Sequence, residues 1–203
     1  MFVTVGVPTL KSLDQLQSLK KELESTVDLN NTEILFSCQN ASASINRNWI
    51  LDHAKGDFII QVDDDMKGFF PGWVGKLIQP FNNDTNVIMT SARLMKTDGN
   101  VNFMIGLNTG THIQNGNLIE VTSKSIPSAC ICIRKNSLKY DEAYIGCGYE
   151  DTDYCLRLSQ MFPSGKVIVI DDCRIIHLQE MKNELGDYLT HNKQVFLSKW
   201  GHL

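Results

Sequence analysis

A chain of 203 residues, 42% hydrophobic and 21% charged, has the composition of a globular protein large enough to bury a sizeable core. Its formal net charge of -4 gives no general attraction to nucleic acid or anionic membrane, and no apolar run approaches membrane-spanning length. Six cysteines, at Cys38, Cys130, Cys132, Cys147, Cys155 and Cys173, form neither CxxC pairs nor a disulfide-dense pattern, so reduced thiols and a cytoplasmic location are the expectation.

Phe2 to Val7 reads as a first strand stopped by Pro8; with no basic region before it and no small-residue cleavage site after it, it is not a signal peptide. The sequons at Asn30, Asn40 and Asn83 are accordingly taken as chance matches. Ser12 and Gln15 have capping-box spacing ahead of a helix whose apolar face is Leu13, Leu16, Leu19 and Leu23. Glu33 to Ser37 is a second strand, and strand, helix, strand implies a right-handed crossover and a parallel pair. A second helix over Ile45 to Ala54 ends near Gly56, which is expected in the left-handed conformation, and the strand Asp57 to Val62 follows.

Pro71-Gly72-Trp73 opens a third helix that Pro80 is expected to end, with Val74, Leu77 and Ile78 facing the sheet. Val87 to Thr90 is another strand. Between Asn100 and Glu120, alternating residues and Asn115-Gly116 predict a projecting antiparallel hairpin that serves as a specificity insert. Ala129 to Ile133 and Val167 to Ile170 are further strands. A glycine- and aromatic-rich loop over Tyr140 to Tyr149 leads into a helix near Glu150, and a last helix runs from Glu184 to Trp200. The pattern is α/β, a mixed and mainly parallel sheet flanked by helices, with residues 1–203 as one domain.

The candidate chemistry gathers at three places. Asp63-Asp64-Asp65 follow an apolar strand directly, and no core accepts three adjacent carboxylates, so they belong beyond the strand end, where ligands collect in open α/β sheets. Clustered carboxylates need a compensating cation or a dense donor network, and hard oxygen ligands favour magnesium or manganese; a solvated acidic turn is the simpler alternative. Glu150, Asp151 and Asp153 follow Gly146-Cys147-Gly148, whose glycines would let backbone approach a ligand. The N-terminal helix dipole would keep such carboxylates ionised for general-base work, although acidic residues also cap first turns with no further role. His177, after Ile175-Ile176, is either a hydrogen-bonded core histidine or a metal ligand.

Together these stretches resemble glycosyltransferase family 2, nucleotide-sugar transferases of the GT-A fold, over nearly the whole chain. Val3 to Thr9 is similar to the opening strand and Pro-Thr turn, Asn46-Arg47-Asn48 with Ala54 to Asp57 to the helix leading into the DxD strand, and Asp63 to Asp65 to the DxD motif. Pro71-Gly72-Trp73 looks like the next helix start, Gly146 to Asp151 like the Gly-x-Gly-x-Glu-Asp segment, and Asn192, Phe196 and Lys199 to Gly201 like the closing helix.

The resemblance implies a metal-dependent inverting transferase that moves a sugar from a nucleoside-diphosphate sugar, with a UDP-sugar as first expectation, to an acceptor hydroxyl. Asp63, Asp65 and His177 would hold Mn2+ or Mg2+, Asp151 would be the catalytic base, and Glu150 would orient acceptor or base. Pro8, Thr9, Asp63, Asp64 and Arg47 would contact the donor. Where many members carry a base-reading aspartate this chain has Ser37-Cys38-Gln39-Asn40, so recognition passes to backbone, Gln39 or Asn40. The acceptor, whether glycan, lipid-linked sugar or modified nucleobase, is not indicated. A nucleotidyltransferase acting on sugar phosphates and a non-catalytic nucleotide-sugar binding module are the alternatives; a phosphohydrolase would want an aspartate after the first strand, where Pro8-Thr9 stand.

Overall fold

The computed structural model describes residues 1–102, 112–178 and 185–201. Strand β1 (Val3–Pro8) is fully buried and pairs in parallel with β2 (Thr32–Ser37) on one side and β3 (Phe58–Val62) on the other. Beyond β3 come β8 (Cys130–Arg134), β5 (Val87–Met95), β9 (Lys166–His177), β7 (Leu118–Val121) and β6 (His112–Asn115), while the two-residue β4 (Met66–Lys67) pairs with the end of β9. Among the described residues the sheet has nine strands, and six of them, β1, β2, β3, β5, β6 and β9, point the same way. The sheet is therefore mixed and mainly parallel in direction. Strand β8 runs antiparallel between β3 and β5, so its beginning lies at the same edge as the ends of its neighbours.

Helices cover both faces. On β5, Thr90 donates to the Leu77 carbonyl of α3 (Trp73–Asn83), while its neighbour Met89 meets Cys155 of α4 (Glu150–Met161). Adjacent strand residues point to opposite faces, so α3 and α4 sandwich the sheet. Helix α1 (Gln17–Thr26) buries Leu19 and Leu23, and α2 (Ala43–His53) presses Ile50 onto β1, where a Cβ at Gly6 would lie 2.2 Å from Ile50 Cγ2. The last helix is α5 (Leu185–Trp200). Burial raises the thiols of Cys130 and Cys132 and pushes Cys155 up to about 12, which leaves them inert core residues.

Several local expectations are corrected. Gln15 accepts from the Ser12 N–H at 2.8 Å, but this box closes a separate turn before α1, and Leu13 is left 52% exposed instead of on the apolar face. Gly56 is not a left-handed cap: α2 ends on the extended Ala54, and glycine is required because an added Cβ would sit 2.5 Å from the Thr4 nitrogen. Pro80 lies inside α3, which runs on to Asn83; a proline that forfeits one hydrogen bond is tolerated where its ring is buried against the sheet. The hairpin turns at Gly116-Asn117, one residue later than the expected Asn115-Gly116, and it does not project: β7 pairs with β9, and the Asp171 N–H donates to the Asn117 carbonyl at 2.9 Å, so the hairpin extends the sheet edge. Its first half, residues 103–111, lies outside the described residues, as does Glu184, the expected start of the last helix.

Candidate active site

The acidic run is a turn between β3 and β4. The Asp63 N–H donates to the Ala129 carbonyl at 2.8 Å, and two residues later the Leu178 N–H donates to the Asp65 carbonyl at 3.0 Å. Pairing of Met66 with His177 carries β9 past the turn, and this long strand brings a histidine from the far end of the chain to the carboxylates. His177 Nε2 lies 3.2 Å from Asp65 Oδ1, and Asp63, Asp65 and His177 each offer an atom within 4.8 Å of the others. Two carboxylate oxygens and one imidazole nitrogen at that spacing are a donor set for a hard divalent ion such as Mn2+ or Mg2+. Burial lowers the His177 pKa, but the Asp65 hydrogen bond and charge outweigh it and hold the imidazole above its ordinary value. Asp64 accepts from the Thr9 hydroxyl, with Lys11 Nζ 3.6 Å away.

Across the turn lies a buried cation. Arg47 of α2 donates from Nη1 to Glu150 Oε1 at 2.6 Å and from Nη2 to Asp63 Oδ1 at 3.0 Å, so one guanidinium ties the metal-type turn to the first residue of α4. Burial alone would lower the Arg47 pKa; the charges of Asp63 and Glu150 raise it instead. Glu150 and Asp151 are pushed up, in each case chiefly by burial, and for Asp151 neither Arg47 nor the Thr152 N–H, 2.7 Å from its Oδ1, offsets this. The helix N-terminus is thus outweighed by desolvation, which raises the proton affinity of the Asp151 carboxylate.

Asp153 is different in kind. It is wholly buried and accepts from Arg157 Nε at 2.7 Å, Trp200 Nε1 at 3.0 Å and Lys199 Nζ at 3.2 Å, so it fastens α5 to α4. The loop before α4 is held by Asn192 of α5, which accepts from the Ile145 N–H and donates to the carbonyls of Ile145, Cys147 and Gly148. The loop glycines therefore answer to packing: a Cβ at Gly146, φ +58, would lie 2.5 Å from the Tyr188 ring, and one at Gly148, φ +103, would lie 2.6 Å from Leu189. The Gly146 carbonyl in turn accepts from the Ala43 N–H at the start of α2.

At the other side of the acidic turn, Pro8 pairs with Ser37 and the Thr9 N–H donates to the Ser37 carbonyl. Asn46 shapes the segment beyond β2, accepting from the Ser37 hydroxyl and the Gln39 N–H and donating to the Gln39 and Ala41 carbonyls; Gln39 and Asn40 stay exposed. Asn48 does the same for Tyr140, whose hydroxyl donates to Gln61 in the sheet. These buried amides were not singled out for such roles by sequence. On a helix like α2 nothing distinguishes a buried asparagine from a solvated one until its partners, up to 94 residues away, are known.

This arrangement, a carboxylate turn after a β-strand facing acidic residues at a helix start across the end of a mixed sheet, defines a GT-A-type nucleotide-sugar transferase fold. The chain belongs to glycosyl transferase family 2, whose model matches residues 9–141. No curated protein matches it. Among solved structures it is similar to GalNAc-T7 with UDP, GalNAc and Mn2+ (TM-score 0.65, 12% identity, 98% of this chain and 48% of that one). It is also similar to the Pyrobaculum calidifontis mannosyltransferase PcManGT with GDP-Man and Mn2+ (0.65, 12%, 89% and 58%). A third is glucosyl-3-phosphoglycerate synthase from Mycobacterium tuberculosis with phosphoglyceric acid (0.65, 13%, 100% and 81%). The chain thus spans about half the length of the first of these proteins. Among the described residues no helix is long and apolar enough to cross a membrane.

Proposed function

We propose that the chain, acting as one domain, transfers a sugar from a nucleoside-diphosphate sugar to an acceptor hydroxyl with inversion, with a UDP-sugar as donor. The observation that carries this reading is the convergence of Asp63, Asp65 and His177 within 4.8 Å, joined through Arg47 to Glu150 beside Asp151. A divalent ion held by the first three would supply Lewis-acid stabilisation of the departing diphosphate. Asp151, with its pKa raised by burial, is the base that takes the proton of the attacking hydroxyl. Glu150 keeps one oxygen on Arg47, while its Oε2 is buried with no hydrogen-bond partner among the described residues and is suited to orient an acceptor hydroxyl. Thr9, through Asp64, fixes the end of β1 next to the turn, and Gln39 and Asn40 are the exposed polar groups available to a nucleobase.

Support for the donor class comes from the family and from UDP and GDP-Man in the similar structures. The test is to incubate the protein with UDP- and GDP-sugars, manganese and a panel of hydroxylated acceptors. Free nucleoside diphosphate with an inverted anomeric centre in the product is the expected result. Pyrophosphate as product would assign a nucleotidyltransferase, and saturable donor binding without turnover of any acceptor would assign a binding module.

A further inference from the structure

The far edge of the sheet holds a cleft that the donor reading leaves unused. It encloses about 370 Å3 and is lined, among the described residues, by Arg93, Asn102, His112, Gln114 and Asp171, with Val101 and Ile119 as an apolar wall. That volume lies within the range of small-ligand sites. None of the five acidic-turn and helix-start residues given a role above lines it. Asp171 nevertheless lies on the same strand as His177, six residues earlier, and so within about 20 Å of it along the chain.

The polar groups are held but not used up. Asp171 has its N–H on the Asn117 carbonyl and its own carbonyl on Arg174, so its backbone is fixed by the hairpin turn and the strand bulge. Its carboxylate stands 3.6 Å from Arg93 Nε and 3.7 Å from Arg174 Nη2, close enough for attraction but too far for a hydrogen bond. Arg93 Nε is shielded from solvent and has no hydrogen-bond partner among the described residues. A buried donor in that state favours a ligand that supplies an oxygen.

The chemistry of the lining selects the ligand. Among the lining groups the Asp171 carboxylate stands beside the Arg93 guanidinium, so a phosphate would meet a like charge as well as an opposite one. Guanidinium donates, carboxylate accepts, and the Gln114 amide, whose nitrogen also donates to the Gly116 carbonyl, can do both; a ring of hydroxyls, each donor and acceptor at once, satisfies such a set. Val101 and Ile119 offer a surface to the C–H face of the same ring. We propose that this cleft is a carbohydrate subsite that binds a neutral pyranose of the acceptor, remote from the hydroxyl that reacts. Its place in the reaction rests on the glycosyl-transfer reading; its ligand class does not.

Saturation-transfer NMR on the full chain with methyl glycopyranosides and disaccharides tests the cleft, with UDP plus manganese as a separate arm. The expected result is transfer to ring protons of at least one glycoside, weakened about tenfold or more by Asp171→Asn, which removes a charged acceptor, and also weakened by the exposed-side variant Gln114→Ala. Glycoside signals that are absent, or equal in wild type and both variants, overturn the proposal, as does displacement of the glycoside by inorganic phosphate. UDP binding without glycoside binding overturns the cleft alone and leaves glycosyl transfer standing. Glycoside binding without UDP binding supports the cleft and overturns the donor reading, and loss of both overturns the two together.

Discussion

Arg47 and Glu150 are 103 residues apart in sequence and meet at 2.6 Å with side chains only 6% and 4% exposed. Removing one partner of such a pair leaves the other charge buried without compensation, which costs more than the pair contributes when intact. Arg47→Ala is therefore expected to destabilise the fold by about 3 kcal/mol or more, because it strands both Glu150 and Asp63. Glu150→Gln, which keeps an acceptor for Arg47, should cost less. Urea unfolding measures both, and a loss below about 1 kcal/mol for Arg47→Ala would show that the pair is not the bond it is taken for here.

Asp151 is expected to act through its proton affinity and not through the fold. Asp151→Asn should lower turnover by about a hundred- to ten-thousand-fold with an unchanged thermal midpoint and unchanged UDP affinity. Because burial raises its pKa above 3.8, the wild-type rate should fall on acidification at a pH higher than an ordinary aspartate would give, and that limb should vanish from the residual activity of the variant. Near wild-type turnover in Asp151→Asn would move the base to Glu150.

Asp153 gives the opposite signature two positions along. It answers to Arg157, Lys199 and Trp200, so Asp153→Ala should unfasten α5 and lower stability by about 3 kcal/mol, with loss of activity only in proportion to unfolding. Thermal melts followed by tryptophan fluorescence would report it through Trp200 itself. A stable Asp153→Ala protein with abolished turnover would contradict the structural role and place Asp153 in the chemistry.

His177 and Asp65 are expected to make metal affinity depend on pH. The imidazole has a folded pKa above its ordinary 6.5, so in the metal-free protein the ion pair contributes stability fully below pH 6.5 and loses it as pH rises through the folded value. A metal ligand must be neutral, so manganese affinity is expected to rise across that same window. Calorimetric titration of manganese near pH 6 and near pH 8 should show tighter binding at the higher pH. His177→Ala should bind weakly and lose most of that dependence. Equal affinities at the two values in the wild type would remove His177 from the donor set.

The residues themselves determined most of the fold. A short apolar, β-branched run such as Phe58 to Val62, bounded by Gly56, reads as a buried strand, and three carboxylates after it are expected beyond the strand end because desolvation disfavours burying them. The helix opened at Trp73, the turn at Gly116 and the acidic helix start at Glu150 are written in local chemistry in the same way. What tertiary structure alone decided are the groups whose meaning depends on a distant partner. Whether Gly56 and Gly146 serve a turn, a ligand or a neighbouring side chain depends on what stands a few ångströms from the missing Cβ, which turned out to be Thr4 and Tyr188. Arg47 is a lone cation in sequence and a bridge between two carboxylates in the fold; Asp151 and Asp153 share one helical turn, yet only Asp153 is tied down by α5. Burial and electrostatic partnership are sums over the whole chain, and no window of neighbouring residues contains them.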